Sequence, residues 1–177
     1  LPKNTILVGA AGFAAFLPKI MDLSSNKIEK PASKDGVILV VAGTCNPITR
    51  TQIDNVLKNI NVNLIKIDTN KIISGRAHEE VLNIKQKIQQ HTEAADKTTN
   101  IFIIAVDTLF NPTKLNDNSK WGKVIASAMG KIVGMLVENK IIQSLVITGG
   151  DTALHVLNAI EAKGIDLEEE VLAGIPL

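Results

Sequence analysis

Ser144-Leu145-Val146-Ile147-Thr148 is a short apolar and β-branched run that breaks at Gly149-Gly150. Asp151-Thr152-Ala153 follow, and then Leu154, Val156, Leu157 and Ile160 recur at helical spacing. This pattern predicts a strand, a tight turn and a helix. Glycines at such a turn let backbone approach a ligand closely, and the first N–H groups of the helix point outward at the positive end of its dipole. An anion fits there. Asp151 and Thr152 equally fit a purely structural role, because either residue before a helix satisfies an orphan N–H as an N-cap.

The same pattern recurs upstream. Val37-Ile38-Leu39-Val40-Val41-Ala42 lies between Gly36 and Gly43 and reads as a strand buried on both faces of a parallel sheet. Gly43-Thr44-Cys45-Asn46-Pro47 follows, and Ile53, Val56, Leu57 and Ile60 mark a helix face. Asn46 as N-cap with Pro47 at the first helical position is a start signal that needs no ligand. The alternative is that Thr44 and Asn46 present polar groups at the sheet edge that also holds the later glycine turn. Thr5-Ile6-Leu7-Val8 before Gly9-Ala10-Ala11-Gly12 predicts a further strand and turn, with a helix that is kinked at Pro18 or restarts there.

Between these units, Ser24 to Gly36 reads as a polar connector and Leu64-Ile65-Lys66-Ile67 as a short strand. Asp68 to Arg76 reads as a loop, and a helix follows that carries Val81, Ile84 and Ile88. Arg76 could meet a phosphate or simply be solvated; His78 and His91 are expected to face solvent. Thr92 to Asn100 is a polar turn. Ile101-Phe102-Ile103-Ile104-Ala105-Val106 is a second buried strand closed by Asp107, and Asn111-Pro112 with Asn116-Asp117-Asn118 mark a loop. A long helix with a wide apolar face then runs through Ile125, Met129, Ile132 and Leu136. Its Gly130 and Gly134 suit close packing, and Trp121 near its start is either a packing anchor or a surface for a base. The last helix is expected to stop at Gly164; Glu168-Glu169-Glu170 then read as a solvated run before Val171-Leu172-Ala173.

Strands that alternate with helices predict an α/β fold: a mostly parallel β-sheet flanked by helices on both faces, Rossmann-like and three-layered. Right-handed crossovers would put the turns at 43–46, 107–111 and 149–152 on one sheet edge, where open α/β sheets bind ligands. A phosphate-bearing small molecule is the physical inference.

Length and charge narrow the classes. At 177 residues the chain suits one domain. Its 19 basic and 18 acidic residues leave a net charge of +1, which gives no polyanion footprint and argues against nucleic acid as partner. No apolar run nears the ~20 residues that span a bilayer. The single Cys45 excludes an internal disulfide framework and makes a reducing cytoplasm the default; no Cys/His spacing suggests a metal site. Because the chain opens on Leu1 and closes on Gly174-Ile175-Pro176-Leu177 after a strand-like run, neighbouring segments are expected on both sides.

Taken in order, Gly9-Ala10-Ala11-Gly12-Phe13-Ala14, Val40 to Gln52, Ile147 to Ala153 and the closing Leu172 to Leu177 resemble the C-terminal nucleotide-binding domain of the four-carbon acid sugar kinase family. The resemblance implies an ATP-dependent kinase that phosphorylates a hydroxyl of a tetronate such as threonate, erythronate or a 3-oxotetronate, with Mg²⁺ as companion of the nucleotide. The family's first turn falls on Gly43, Thr44, Cys45 and Asn46, with Asn46 where the family carries serine. Its second turn falls on Gly149, Gly150, Asp151 and Thr152. The implied ATP contacts are therefore Gly43, Thr44, Asn46, Gly149, Gly150, Asp151 and Thr152, while no catalytic base is identified. On this likeness residues 1–177 form the nucleotide-binding domain of a larger two-domain kinase. The sugar acid is held by an N-terminal domain not present here, and the fragment alone is expected to be inactive. A non-catalytic module that senses a nucleotide or sugar phosphate through the same turns is the alternative. A dinucleotide-binding oxidoreductase ranks last, because Gly9-Ala10-Ala11-Gly12 does not give Gly-x-Gly-x-x-Gly. The sequence does not set the oligomeric state, and a homo-oligomer stays open.

Overall fold

The computed structural model describes residues 4–9, 11–21, 36–93, 100–112, 118–165, 170–172 and 175–176. Two compact units divide the chain, residues 34–163 in one and residues 1–33 with 164–177 in the other. The Ser24–Gly36 connector up to residue 35, the polar turn at 94–99, Asn116-Asp117 and Glu168-Glu169 lie outside the described residues.

In the smaller unit the expected strand at Thr5–Val8 does not form. Ile6 and Val8 stay 88% and 91% exposed, and a β-branched run becomes a strand only where a neighbouring strand pairs its backbone. Two short helices follow, α1 (Ala11–Ala14) and α2 (Leu17–Ile20). Pro18 lies in the first turn of α2, where a missing N–H costs nothing, so the helix restarts at the proline instead of kinking. Near the end of the chain β5 (Glu170–Leu172) pairs antiparallel with β6 (Ile175–Pro176).

The larger unit alternates strands with helical connections. In order it contains β1 (Val37–Ala42), α3 (Pro47–Asn59), β2 (Asn63–Ile67), α4 (Thr69–Ile73) and α5 (Ala77–Glu93). Then come β3 (Ile101–Val106), a 3₁₀ turn at Asp107–Leu109, α6 (Asn118–Glu138), β4 (Ile142–Thr148) and α7 (Gly150–Ala159). The four strands form one all-parallel sheet in the order β2-β3-β1-β4. The α/β fold is as expected. The stretch expected to be a loop before α5 contains the five-residue α4, started by Asp68, whose carboxylate accepts from Asn70 N at 3.0 Å. And α7 stops at Ala159, short of Gly164, because Glu161 takes the left-handed conformation at φ +55° that ends the helix.

Strand order and right-handed connections place α3 on one face of the sheet and α4 to α7 on the other. Side chains agree. The Phe110 ring lies between the Arg50 guanidinium of α3 at 4.3 Å and the Lys66 ammonium of β2 at 4.4 Å. On the opposite face, Phe102 of β3 meets the His91 ring of α5 edge-on at 6.0 Å. Leu39, Val41, Phe102, Ile104, Ile84, Ile88, Met129, Ile132 and Leu136 are fully or almost fully buried between sheet and helices. Burial of this kind, at about 25 cal/mol per Å² of apolar surface, is what holds the layers together. Single-residue contacts set the spacing within the helical layer. A Cβ at Gly130 would collide with the main chain of His155, and one at Gly134 would lie 3.2 Å from Ala159 O, so α6 and α7 approach as closely as glycine allows.

Candidate functional site

The carboxyl ends of β1 and β4 are neighbours, yet their connections leave toward opposite faces, β1 into α3 and β4 into α7. Such a parting of the loops opens a crevice at the sheet edge. Its walls are the two turns that the sequence singles out.

On the β1 side Ile48 N donates to Asn46 Oδ1 at 2.9 Å, and Asn46 N donates to Thr44 Oγ1 at 3.2 Å. Asn46 is thus the N-cap of α3, with Pro47 in the first turn, as the capping reading expects. Its oxygen is committed, which leaves the amide NH₂ as the group free to meet a ligand. Cys45 is exposed, but its sulfur lies 3.3 Å from the hydroxyl of Thr108, a fully buried residue. That contact ties the turn after β1 to the turn after β3.

On the β4 side Gly149 has φ +102°, a conformation that L side chains rarely adopt, and it is the N-cap of α7 without a side-chain hydrogen bond. Asp151 therefore does not cap the helix. It sits exposed in the first turn, where a carboxylate is favoured by the dipole. Thr152 is only 2% exposed, and a Cβ placed on Gly43 would run into its hydroxyl. Thr44 Cβ also lies 3.5 Å from where a Cβ on Gly149 would stand. So Gly43, Thr44, Gly149 and Thr152 are brought together across β1 and β4. Asn46, Gly150 and Asp151 lie at the exposed rim. Gly150 is different from the other two glycines, since a Cβ there meets nothing within 4 Å.

The electrostatic consequence concerns the start of α7. Ala153 N is the first amide to bond back, to Gly149 O at 2.9 Å, so the N–H groups of Gly150, Asp151 and Thr152 have no acceptor within the helix. Asn46 and Asp68 cap α3 and α4 with their own oxygens; no side chain does so at α7.

Two further contacts at this edge were not visible in the sequence. Thr69 donates to Asp107 Oδ1 from its hydroxyl at 2.6 Å and from its amide at 3.3 Å. Buried Glu80 accepts from Asp68 N and from Lys71 Nζ, each at 3.0 Å. Together these carboxylates pin the turn between β2 and α4. They join residues 38 and 12 positions apart, and no local pattern signals such pairs. Among the described residues the Arg76 side chain reaches Ser74 Oγ, at 3.4 Å, and Trp121 packs half-buried against the core.

The family of nucleotide-binding C-terminal domains matches residues 39–177. The chain belongs to that family. A curated relative, D-threonate kinase of Salmonella typhimurium, is 28% identical over 99% of this chain and supports the likeness to four-carbon acid sugar kinases. The nucleotide-binding C-terminal domain described here spans 41% of that relative's length. Among solved structures, a Bordetella bronchiseptica protein described as a domain of unknown function, with bound citrate and as a domain-swapped dimer, matches with a TM-score of 0.64. It is 20% identical and covers 80% of this chain and 32% of its own. A Haemophilus influenzae protein matches with a TM-score of 0.63 at 14% identity, over 93% of this chain and 39% of its own. Both likenesses carry the fold. Among the described residues no helix of this family member is long and apolar enough to cross a membrane.

Proposed function

We propose that the chain is the ATP-binding part of a kinase that phosphorylates a four-carbon sugar acid, threonate being the substrate suggested by the curated relative. The observation that carries this reading is the start of α7, open and uncapped at Gly149-Gly150 and pressed against Gly43 of the neighbouring turn. Phosphate oxygens accept from the N–H groups of Gly150, Asp151 and Thr152, and the helix dipole favours their charge. Thr44 contributes its hydroxyl and Asn46 its amide from the opposite wall. Thr152 contributes main chain, because its hydroxyl is buried against Gly43. Gly43 and Gly149 act by leaving room.

Phosphoryl transfer rests mainly on positioning and charge neutralisation, and Mg²⁺ bridging the phosphates supplies much of the latter. Among the described residues no group of three or more His, Cys, Asp or Glu could hold a metal ion. The exposed Asp151 carboxylate fits a metal held chiefly by phosphate and water, with one protein oxygen beside it. The sugar acid and the group that activates its hydroxyl belong to the part of the kinase outside this chain, so the isolated domain binds nucleotide without turning over.

Calorimetric titration of the chain with ATP and Mg²⁺, with NAD as control, tests the reading. Saturable ATP binding that is abolished in Gly150→Val, with the variant's fold checked by circular dichroism, supports it, because a Cβ there meets nothing of the protein within 4 Å and the added side chain crowds the phosphate seat. Equal binding by wild type and variant would refute it.

A further inference from the structure

One sizeable cavity lined by described residues lies away from the turns. About 410 Å³ opens between α5, α6 and α7, bordered by Ala77, Val81, Lys131, Met135 and Glu138 among others. It adjoins a hollow of about 300 Å³ that shares Ala77 and Lys131 and adds Lys123 and Ser127. None of the residues assigned to the nucleotide lines either space. A volume of this size lies within the range of small-molecule sites, about 300–1,000 Å³.

The trough is polarised. Lys123, Ser127 and Lys131 follow one another at four-residue intervals and so share one side of α6, the two lysines exposed. Next along the trough come buried Val81 and half-buried Met135, with Ala77, Gly134 and Ala159 adding no polar side chain and the exposed His78 at the α5 rim. Glu138 stands at the other end, about 10 Å along the helix from Lys131 at 1.5 Å per residue, where it also borders the next hollow with Glu161. Lysines at one end, an apolar floor and carboxylates at the other select a ligand that is negatively charged at one end only. We propose that this trough binds small monoanions with an apolar body, such as arylalkyl carboxylates. The carboxylate lies between Lys123 and Lys131 within reach of the Ser127 hydroxyl, and the body covers Val81 and Met135.

Methyl NMR of the full chain labelled at methionine reads the site directly, since Met135 lines the cavity while Met129 is fully buried and Met21 belongs to the other unit. The probe is 4-phenylbutyrate, whose ring current moves a methyl beneath it; 4-phenylbutylamine and 4-phenylbutanol carry the same body without the negative charge. The expected result is a saturable shift of Met135 alone, with affinity for the carboxylate well above that for the amine. Lys123→Gln and Lys131→Gln, both at exposed positions, each weaken binding by about fivefold, the scale of one surface charge pair. Gly150→Val leaves it unchanged. The proposal is overturned if Met135 does not respond, if the amine binds as well as the carboxylate, if the three methionines shift in parallel, or if Gly150→Val abolishes the response.

Discussion

Gly43→Ala tests the contact on which the two-turn geometry rests. The φ of Gly43 lies outside the left-handed region, so alanine is acceptable to its backbone and the cost is purely steric. The new methyl meets Thr152 Oγ1 in outright overlap, with Cγ2 at 3.0 Å and Cβ at 3.1 Å behind it. Rotating χ1 of Thr152 either brings its methyl to the same place or turns the Cβ hydrogen there, which still leaves Cβ at 3.1 Å and moves a γ atom into closed surroundings, the residue being 2% exposed. Overpacking of this kind costs about 1–3 kcal/mol. Thr152→Ala removes Oγ1 and Cγ2, the two nearest of these atoms, and leaves Cβ, at a cost of about 1 kcal/mol for the lost hydroxyl. In the double variant the alanine methyl should occupy the vacated space. Denaturant unfolding of the four proteins is the assay, and a favourable coupling of at least about 1 kcal/mol is expected. If Gly43→Ala falls within about 0.5 kcal/mol of wild type, or the coupling is absent, the turns are not pressed together as described.

Three other outcomes follow from the packing. Gly130→Ala, whose methyl would strike the main chain of His155, should cost about 1–3 kcal/mol in the same assay, whereas Gly122→Ala in the same helix meets nothing within 4 Å and should be neutral or stabilising. Glu80→Ala leaves Asp68 N without its acceptor and should destabilise by about 1–3 kcal/mol; the loss is limited because Lys71, 31% exposed, can turn to water. Asp107→Ala frees both donors of Thr69 and should cost about 1.5–3 kcal/mol, while Asp107→Asn, which keeps an oxygen, should cost less; hydrogen exchange at Thr69 would report the difference.

Strands β1, β3 and β4 were legible because short continuous apolar runs that end at glycine or a polar residue have few other uses in a chain of this size. The Asn46-Pro47 helix start was legible for the same kind of reason, since its signal is local and chemical. What stayed hidden was decided over distance. Thr5–Val8 carries the same β-branched signature, yet it forms no strand and leaves Ile6 and Val8 exposed. The stop of α7 falls on Glu161, a non-glycine residue that takes a positive φ, ahead of the more obvious Gly164. At the site, the glycine turns could be picked out but not their division of labour. That Thr152 faces inward, that Asp151 does not cap, and that Cys45 leans on Thr108 across 63 positions all depend on how β1, β3 and β4 align.

The commitment of Asn46 Oδ1 to its own helix and the burial of the Thr152 hydroxyl leave this sheet edge offering mostly main chain. On the proposed nucleotide reading, a seat made that way is specified by vacancy. Most side-chain identities around it could then drift without harm, and the changes expected to disable it are those that add atoms at Gly43, Gly149 or Gly150. Specificity for one nucleotide over another would be written elsewhere, in the groups that meet its base and sugar, and those could diverge while the phosphate end stays the same.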